Sequence, residues 1–287
     1  MLFNLKARQF CSANWSYSQD YPELLGISEE EAFPVDQCKS CRFIYARFLP
    51  TPEFLATVYD RVIHYEKCIQ GSENSKSYAR RLAYIATLIG LAPASKTLRA
   101  LDYGCGLGVS LRILQAASIE TVGFDNSLLR SQTIKDWGII VENEKQIQNN
   151  GPFEIIVCDN VLEHLADPAG TLNFLASVCR PEAVIYVSVP SYESRMVKKQ
   201  LTALRKQQDL DMTLNPWEHL NYFTLEHLDR MMNRAGFIPI EATQLPSAPN
   251  IGLRPELHTM ARLKNSLASA RRLIRYALKG RIERTVE

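Results

Sequence analysis

The stretch Leu101-Asp102-Tyr103-Gly104-Cys105-Gly106-Leu107-Gly108 decides the fold. The stretch Leu98–Tyr103 reads as a strand. Three alternating glycines then permit a sharp turn and a close backbone approach by a ligand. A helix follows to about Ala117, and its N-terminus offers free N–H groups and a positive dipole end.

Outward from this turn, strands and helices alternate. Thr121–Phe124, Ile139–Val141, Glu154–Cys158, Val184–Val189 and Phe237–Ile240 read as strands. A helix to Gly138 follows the second strand. Another begins at Pro168, with Leu172, Leu175 and Cys179 on one face, and ends at Pro181. Thr224 can N-cap a helix carrying Leu225, Leu228, Met231 and Met232, stopped at Gly236. Upstream, Tyr78, Leu82, Ile85 and Ile89 line one face of a helix from Ser77 to Gly90. The pattern predicts an α/β chain with a doubly wound, mostly parallel sheet. A seventh strand is not evident.

The 287 residues are 46% hydrophobic and 22% charged, which excludes a disordered or collagen-like chain. The longest nearly apolar run, Leu82–Ala94, has 13 residues, too short for a membrane span of roughly 20. The N-terminus lacks an apolar signal core, so a cytoplasmic protein is expected. The net charge of +2 is uneven. Residues 254–287 carry nine Lys or Arg and three Glu, a net +6, and the remainder is −4. The basic excess belongs to the tail, so no nucleic-acid partner is expected.

Two ligands compete for the glycine turn. A dinucleotide fingerprint needs Gly or Ala where Val109 stands, and Asp102 suits a cationic ligand better than a pyrophosphate. Asp125 ends the second strand in Gly123-Phe124-Asp125-Asn126, where a carboxylate can accept from both hydroxyls of a ribose. A helix N-cap is its other reading, and the upstream turn favours the ribose.

Asp102-x-Gly104-x-Gly106-x-Gly108, Gly123-Phe124-Asp125 and Phe153–His164 together resemble a class I S-adenosylmethionine-dependent methyltransferase over about residues 75–242. The resemblance implies a Rossmann-like methyltransferase fold with S-adenosylmethionine as cofactor. It places Asp102, Gly104, Gly106 and Gly108 around the methionine moiety. Asp125, with Asn126 beside it, falls at the ribose, Glu142 or Asn143 near the adenine, and Asn160 under the sulfonium. Cys105 matches a position that commonly carries Cys, and reads as packing. The resemblance implies direct in-line methyl transfer to a small molecule, a sugar or another hydroxylated metabolite. A general base is needed only for a poorly nucleophilic acceptor.

Two segments are candidates for the acceptor side. Asp159–Asp167 supplies Glu163 and His164, which read as structural or catalytic. Asn215-Pro216-Trp217-Glu218-His219-Leu220-Asn221-Tyr222-Phe223 is similar to the Glu-His-x-x-Tyr-Phe stretch of sugar and small-molecule methyltransferases. In some zinc-bearing sugar C-methyltransferases that Glu-His pair does acid–base work. Glu218 and His219 are therefore candidate proton carriers, with Trp217, Tyr222 and Phe223 as pocket walls. His219 could equally cap or stabilise the fold. Arg195, Lys198, Lys199, Arg205 and Lys206 crowd a predicted helix, read as a solvated face before a lid for an acidic acceptor.

Residues 1–72 read as a small irregular cap, 73–246 as the methyltransferase core and 247–287 as a basic C-terminal helix. Cys38-x-x-Cys41 resembles half of the zinc knuckle of a methyltransferase subgroup. The first pair is degenerate, Cys11-x-x-Asn14. Cys11, Cys38 and Cys41 could therefore bind Zn²⁺ only with a fourth ligand such as His64 or Cys68. A relic knuckle packed by aromatics is the favoured reading. Seven cysteines without a secretion signal argue for thiols. Leu263, Leu267, Ala270, Ile274 and Ala277 have helical spacing beneath a basic face. That helix could cover the core, join a homodimer or lie on an anionic membrane surface. A non-catalytic binding module acting in assembly, or a nicotinamide-dependent oxidoreductase, are the alternatives.

Overall fold

The computed structural model describes the chain except for residues 12–15, 65, 68–74, 95–96, 128–131, 133, 135–139, 142, 207–209, 211–212, 241–272 and 279–287. Asn14, Cys68, Glu142, most of the helix expected before Gly138, and Leu263–Ala270 lie outside the described residues.

Two sheets organise the chain. The strands are β1 (Phe3–Lys6), β2 (Ala32–Gln37), β3 (Ile44–Ala46), β4 (Arg99–Tyr103), β5 (Glu120–Phe124), β6 (Ile140–Val141), β7 (Phe153–Asp159), β8 (Cys179–Ser188), β9 (Asn221–Tyr222), β10 (Phe237–Pro239) and β11 (Leu273–Leu278). The main sheet has the order β10-β11-β8-β7-β4-β5-β6, parallel from β8 to β6. Ile155, Ile156, Val157 and Cys158 of β7 are wholly buried, as expected of a strand covered on both faces.

Helices Ser75–Leu91, Val109–Ala116 and Leu225–Arg234 appear where sequence predicts them, whereas the helix from Pro168 ends at Ser177 and the expected helical Cys179 and its stop Pro181 already belong to β8. Thr224 caps the last, its side chain accepting from the His227 N–H. The buried stripe of Ser75–Leu91 differs from expectation. Tyr84, Ile85 and Leu88 are buried, whereas Tyr78 and Leu82 stand 42% and 43% exposed. The expected spacing was helical, but the covered face is set by the Tyr84–Tyr186 stack, with centroids 3.9 Å apart.

The C-terminal segment also differs. Leu273–Leu278 is a strand, antiparallel to both β8 and β10, so the seventh strand comes from residues expected to be helical. Ile274 and Ala277 belong to the expected helical stripe, yet sheet neighbours on both sides satisfy the backbone, and such context overrides local pattern.

The smaller sheet has the order β1-β2-β3-β9. Its fourth strand comes from the core region, with Ile44 opposite Tyr222. Described residues within 1–63 and within 192–222 share one apolar cluster centred on the fully buried Trp217. Trp217 meets Phe10, Tyr17, Tyr21, Phe33 and Phe54 at centroid distances of 4.8–6.0 Å. No helix of the described residues is long and apolar enough to cross a membrane.

Candidate functional site

The glycine turn sits at the carboxyl end of β4 and is pinned to β5. The N–H groups of Gly104 and Cys105 both donate to the Phe124 carbonyl, at 2.7 and 2.9 Å. The next N–H, of Gly106, donates to Asp125 Oδ2 at 2.8 Å, and Ser127 N–H donates to Oδ1 at 2.9 Å. Gly104 has φ +76°, and a Cβ there would meet Val161 Cγ2 at 2.4 Å. Gly106 has φ +55°, and a Cβ there would meet nothing within 4 Å. The turn thus presents bare backbone to open space, beside the carboxylate of Asp125.

A cavity of about 210 Å³ opens above this turn. Gly104, Asp125, Asn126 and Asn160 line one side, and Tyr59, His164 and Glu218 line another. Asn160 follows β7 with φ +57°, a conformation Asn tolerates better than most residues. Cys105 is buried against Leu111 and Ile134, which fits packing. Gly108 is the N-cap of the helix Val109–Ala116. Asn143 caps the helix Glu144–Asn150 in a reciprocal box with Gln146 and is exposed. It is not among the lining residues.

Asp102 lies beneath the turn, 3% exposed. Burial, then the charge of Asp159, pushes its carboxyl up to about 8; Arg81 opposes this and Asp125 adds to it. Asp159 is paired with Arg80 at 2.8 Å and accepts from the Ser188 hydroxyl and from Asn160 Nδ2.

Across the cavity from the turn, two loops are stitched together. Leu220 N–H donates to the Glu163 carbonyl at 2.7 Å. Asn221 Nδ2 donates to the carbonyls of Leu162 and Leu165 at 3.2 and 2.7 Å. His164 Nδ1 lies 2.8 Å from the Glu218 carbonyl, and His219 Nδ1 lies 2.7 Å from that of Thr213. The Glu218 carboxylate accepts from the Tyr17 hydroxyl and from Asn215 Nδ2, the latter at 2.8 Å. Burial pushes the Glu163 carboxyl well above the ordinary carboxylate range.

The sequence-predicted residues are thus brought together only in part. Glu218 and His164 face the cavity, and His219 packs behind His164 with ring centroids 4.8 Å apart. Trp217, Tyr222 and Phe223 are at most 1% exposed and belong to the cores, so they do not wall the pocket. Their apolar bulk is drawn into the cap cluster and the main core instead. The three thiols Cys11, Cys38 and Cys41 do not converge on a metal site among the described residues. Cys11 is buried in the aromatic cluster beside Tyr21, whereas Cys41 is exposed beyond the end of β2. Arg195, Lys198, Lys199, Arg205 and Lys206 are exposed on and just past the helix Ser194–Arg205.

Sequence reasoning missed Tyr59, Arg80 and Tyr17. Each reaches the site from an element distant in the chain, and no motif marks them.

Comparison with known proteins agrees with this geometry. The family described as "Methyltransferase domain" matches residues 72–242. A ubiquinone biosynthesis O-methyltransferase of Aromatoleum aromaticum is 32% identical over 118 residues, 38% of this chain and 49% of that protein. The namesake from Colwellia psychrerythraea is 24% identical over 123 residues, 39% and 49% of the two chains. The matches thus span about half the length of these curated relatives. Among solved structures, the plantazolicin methyltransferase BamL, in complex with a triazolic desmethylPZN analog and SAH, superposes with a TM-score of 0.53. That pairing has 15% identity and covers 79% of this chain and 95% of BamL. The likeness to BamL is one of fold. S-adenosylmethionine is the donor that the family implies, and the bare turn, the open space beside Gly106 and the adjacent carboxylate of Asp125 fit it. The chain belongs to the methyltransferase-domain family of class I, S-adenosylmethionine-dependent enzymes.

Proposed function

We propose that this protein methylates a hydroxylated small molecule held in the cavity between the glycine turn and the His164–Glu218 wall. The observation that carries the reading is the placement of both ends on one cavity, Gly104 and Asp125 on one side and His164 and Glu218 on the other. The named relatives, O-methyltransferases of ubiquinone biosynthesis, support oxygen as the methylated atom.

S-adenosylmethionine supplies a methyl group already activated by a positive sulfur. The protein's part is alignment and exclusion of water. Gly104, Cys105, Gly106 and Gly108 present backbone to the donor, with Asp102 beneath them. Asp125 and Asn126 hold its ribose, and Asn160 sits at the strand end between donor and acceptor. On the acceptor side, His164 and Glu218 meet the substrate. His219 stands behind His164, as a second imidazole on the same wall. Tyr59 and Leu55 bring the N-terminal cap to the same wall.

The test has two stages. Calorimetric titration with S-adenosylhomocysteine should show saturable binding. A metabolite extract with labelled methyl donor should then give acceptor-dependent S-adenosylhomocysteine and a labelled product with an ether methyl. Absence of nucleoside binding would overturn the reading.

A further inference from the structure

We propose that Glu163, His164 and His219 form a binding site for one divalent transition-metal ion, built into the acceptor wall of the cavity. One ligand atom from each residue lies within 4.8 Å of the others. His164 Nε2 is already 3.8 Å from Glu163 Oε1. An ion about 2.0–2.2 Å from each ligand sets ligand atoms roughly 3.4 Å apart in tetrahedral geometry. A gap of 4.8 Å therefore closes by about 1.4 Å on binding.

The second observation is Glu163 itself. Its side chain is 2% exposed, and neither carboxylate oxygen has a hydrogen-bond partner. Buried polar atoms are nearly always partnered, and an orphan pair calls for a missing water or ion. The imidazoles facing it favour a cation. Both Nδ1 atoms are held by carbonyls, those of Glu218 and Thr213. A carbonyl only accepts, so each Nδ1 carries a proton and Nε2 holds the lone pair of the neutral ring. This is the outer-shell arrangement that fixes tautomer and ring orientation in metal-binding histidines.

The site is also preorganised. Hydrogen bonds from Leu220 and Asn221 lock the loop carrying Glu163 and His164 to the loop carrying His219. Two imidazoles with one carboxylate suit zinc, cobalt, iron or manganese better than magnesium or calcium. His164 lines the cavity and gives the ion its route inward. Use of the ion to bind an oxygen of the acceptor rests on the methyl-transfer reading. The cation site itself does not.

The test uses the untagged full chain, stripped with a chelator and titrated with cobalt(II). The wild type should take up one ion per chain, with visible ligand-field bands and without sulfur-to-cobalt charge-transfer absorption. Glu163→Gln and His219→Ala should each weaken uptake by at least about tenfold, the low end of an outer-shell loss. S-adenosylhomocysteine titration of every variant reports that the fold persists. A nucleoside-binding wild type that takes up no cobalt, a thiolate spectrum from Cys38 and Cys41, or unchanged uptake in both variants would each overturn the site. Failure of the wild type to bind nucleoside would count against the methyl-transfer reading alone, because the cobalt result is read separately.

Discussion

The backbone N–H of Gly106 donates to the Asp125 carboxylate at 2.8 Å, so the glycine turn after β4 and the acid after β5 behave as one unit. Removing the acid unties the turn and, on the proposed reading, deletes the contact to the donor's ribose. Hydrogen bonds to charged groups contribute about 1.5–3 kcal/mol. Asp125→Ala should therefore weaken S-adenosylhomocysteine binding by roughly 10- to 100-fold, measured by calorimetry.

The two glycines flanking Cys105 should fail differently. Gly104→Ala would place a methyl 2.4 Å from Val161 in a left-handed backbone, and should lower the thermal midpoint. Gly106→Ala meets open space and incurs only the left-handed penalty, about 1–2 kcal/mol. It should leave most of the stability intact and still abolish nucleoside binding, because the proposed donor site takes in that open space. Equal effects of the two variants on both readouts would contradict this assignment.

Asp102 links stability and binding to pH. Its carboxyl is raised from 3.8 to about 8, so the folded chain keeps a proton that the unfolded chain has lost. Stability should fall as pH rises from the ordinary carboxylate range through about 8, and Asp102→Asn should flatten that limb in urea denaturation. If the donor's cationic amine binds beside it, as proposed, the ionised form is favoured. Nucleoside binding below pH 8 should therefore release protons, detectable in buffers of different ionisation enthalpy, and the release should vanish in Asp102→Asn. The charges that face Asp102 and set this balance are Asp159, Arg81 and Asp125.

The cap should matter to the site through Tyr17 and Trp217. Tyr17→Phe removes the hydroxyl that donates to Glu218 and should cost about 1–3 kcal/mol. Trp217→Ala empties the centre of the aromatic cluster and should cost about 3–5 kcal/mol. Denaturant titration checks both. Unaltered stability in Trp217→Ala would show that the cap does not share the core's cooperativity.

The sheet was legible where local pattern and environment agree. Ile155–Cys158 is an apolar run because both faces are covered, and Gly104 and Gly106 mark a turn that only glycine adopts cheaply. Asp125 was legible because a strand end fixes where its side chain stands. Arg80 with Asp159, and Tyr17 with Glu218, were not legible, because nothing local records a contact across 79 or 201 residues. Trp217 misled for a related reason, since an aromatic beside a Glu-His pair suits a pocket wall or a core equally well. Leu273–Leu278 satisfies a helical stripe, and only its neighbours β8 and β10 decide otherwise.

Strand β11 is the wedge through which β10 reaches the main sheet, since β10 has no other strand neighbour there among the described residues. A ribosome must therefore deliver residue 278 before Phe237–Pro239 can dock, and until then the edge of β8 stands open to any passing strand. Shortening the chain ahead of Leu273 would strip two strands at once, and self-association during synthesis is the expected hazard of such a truncation.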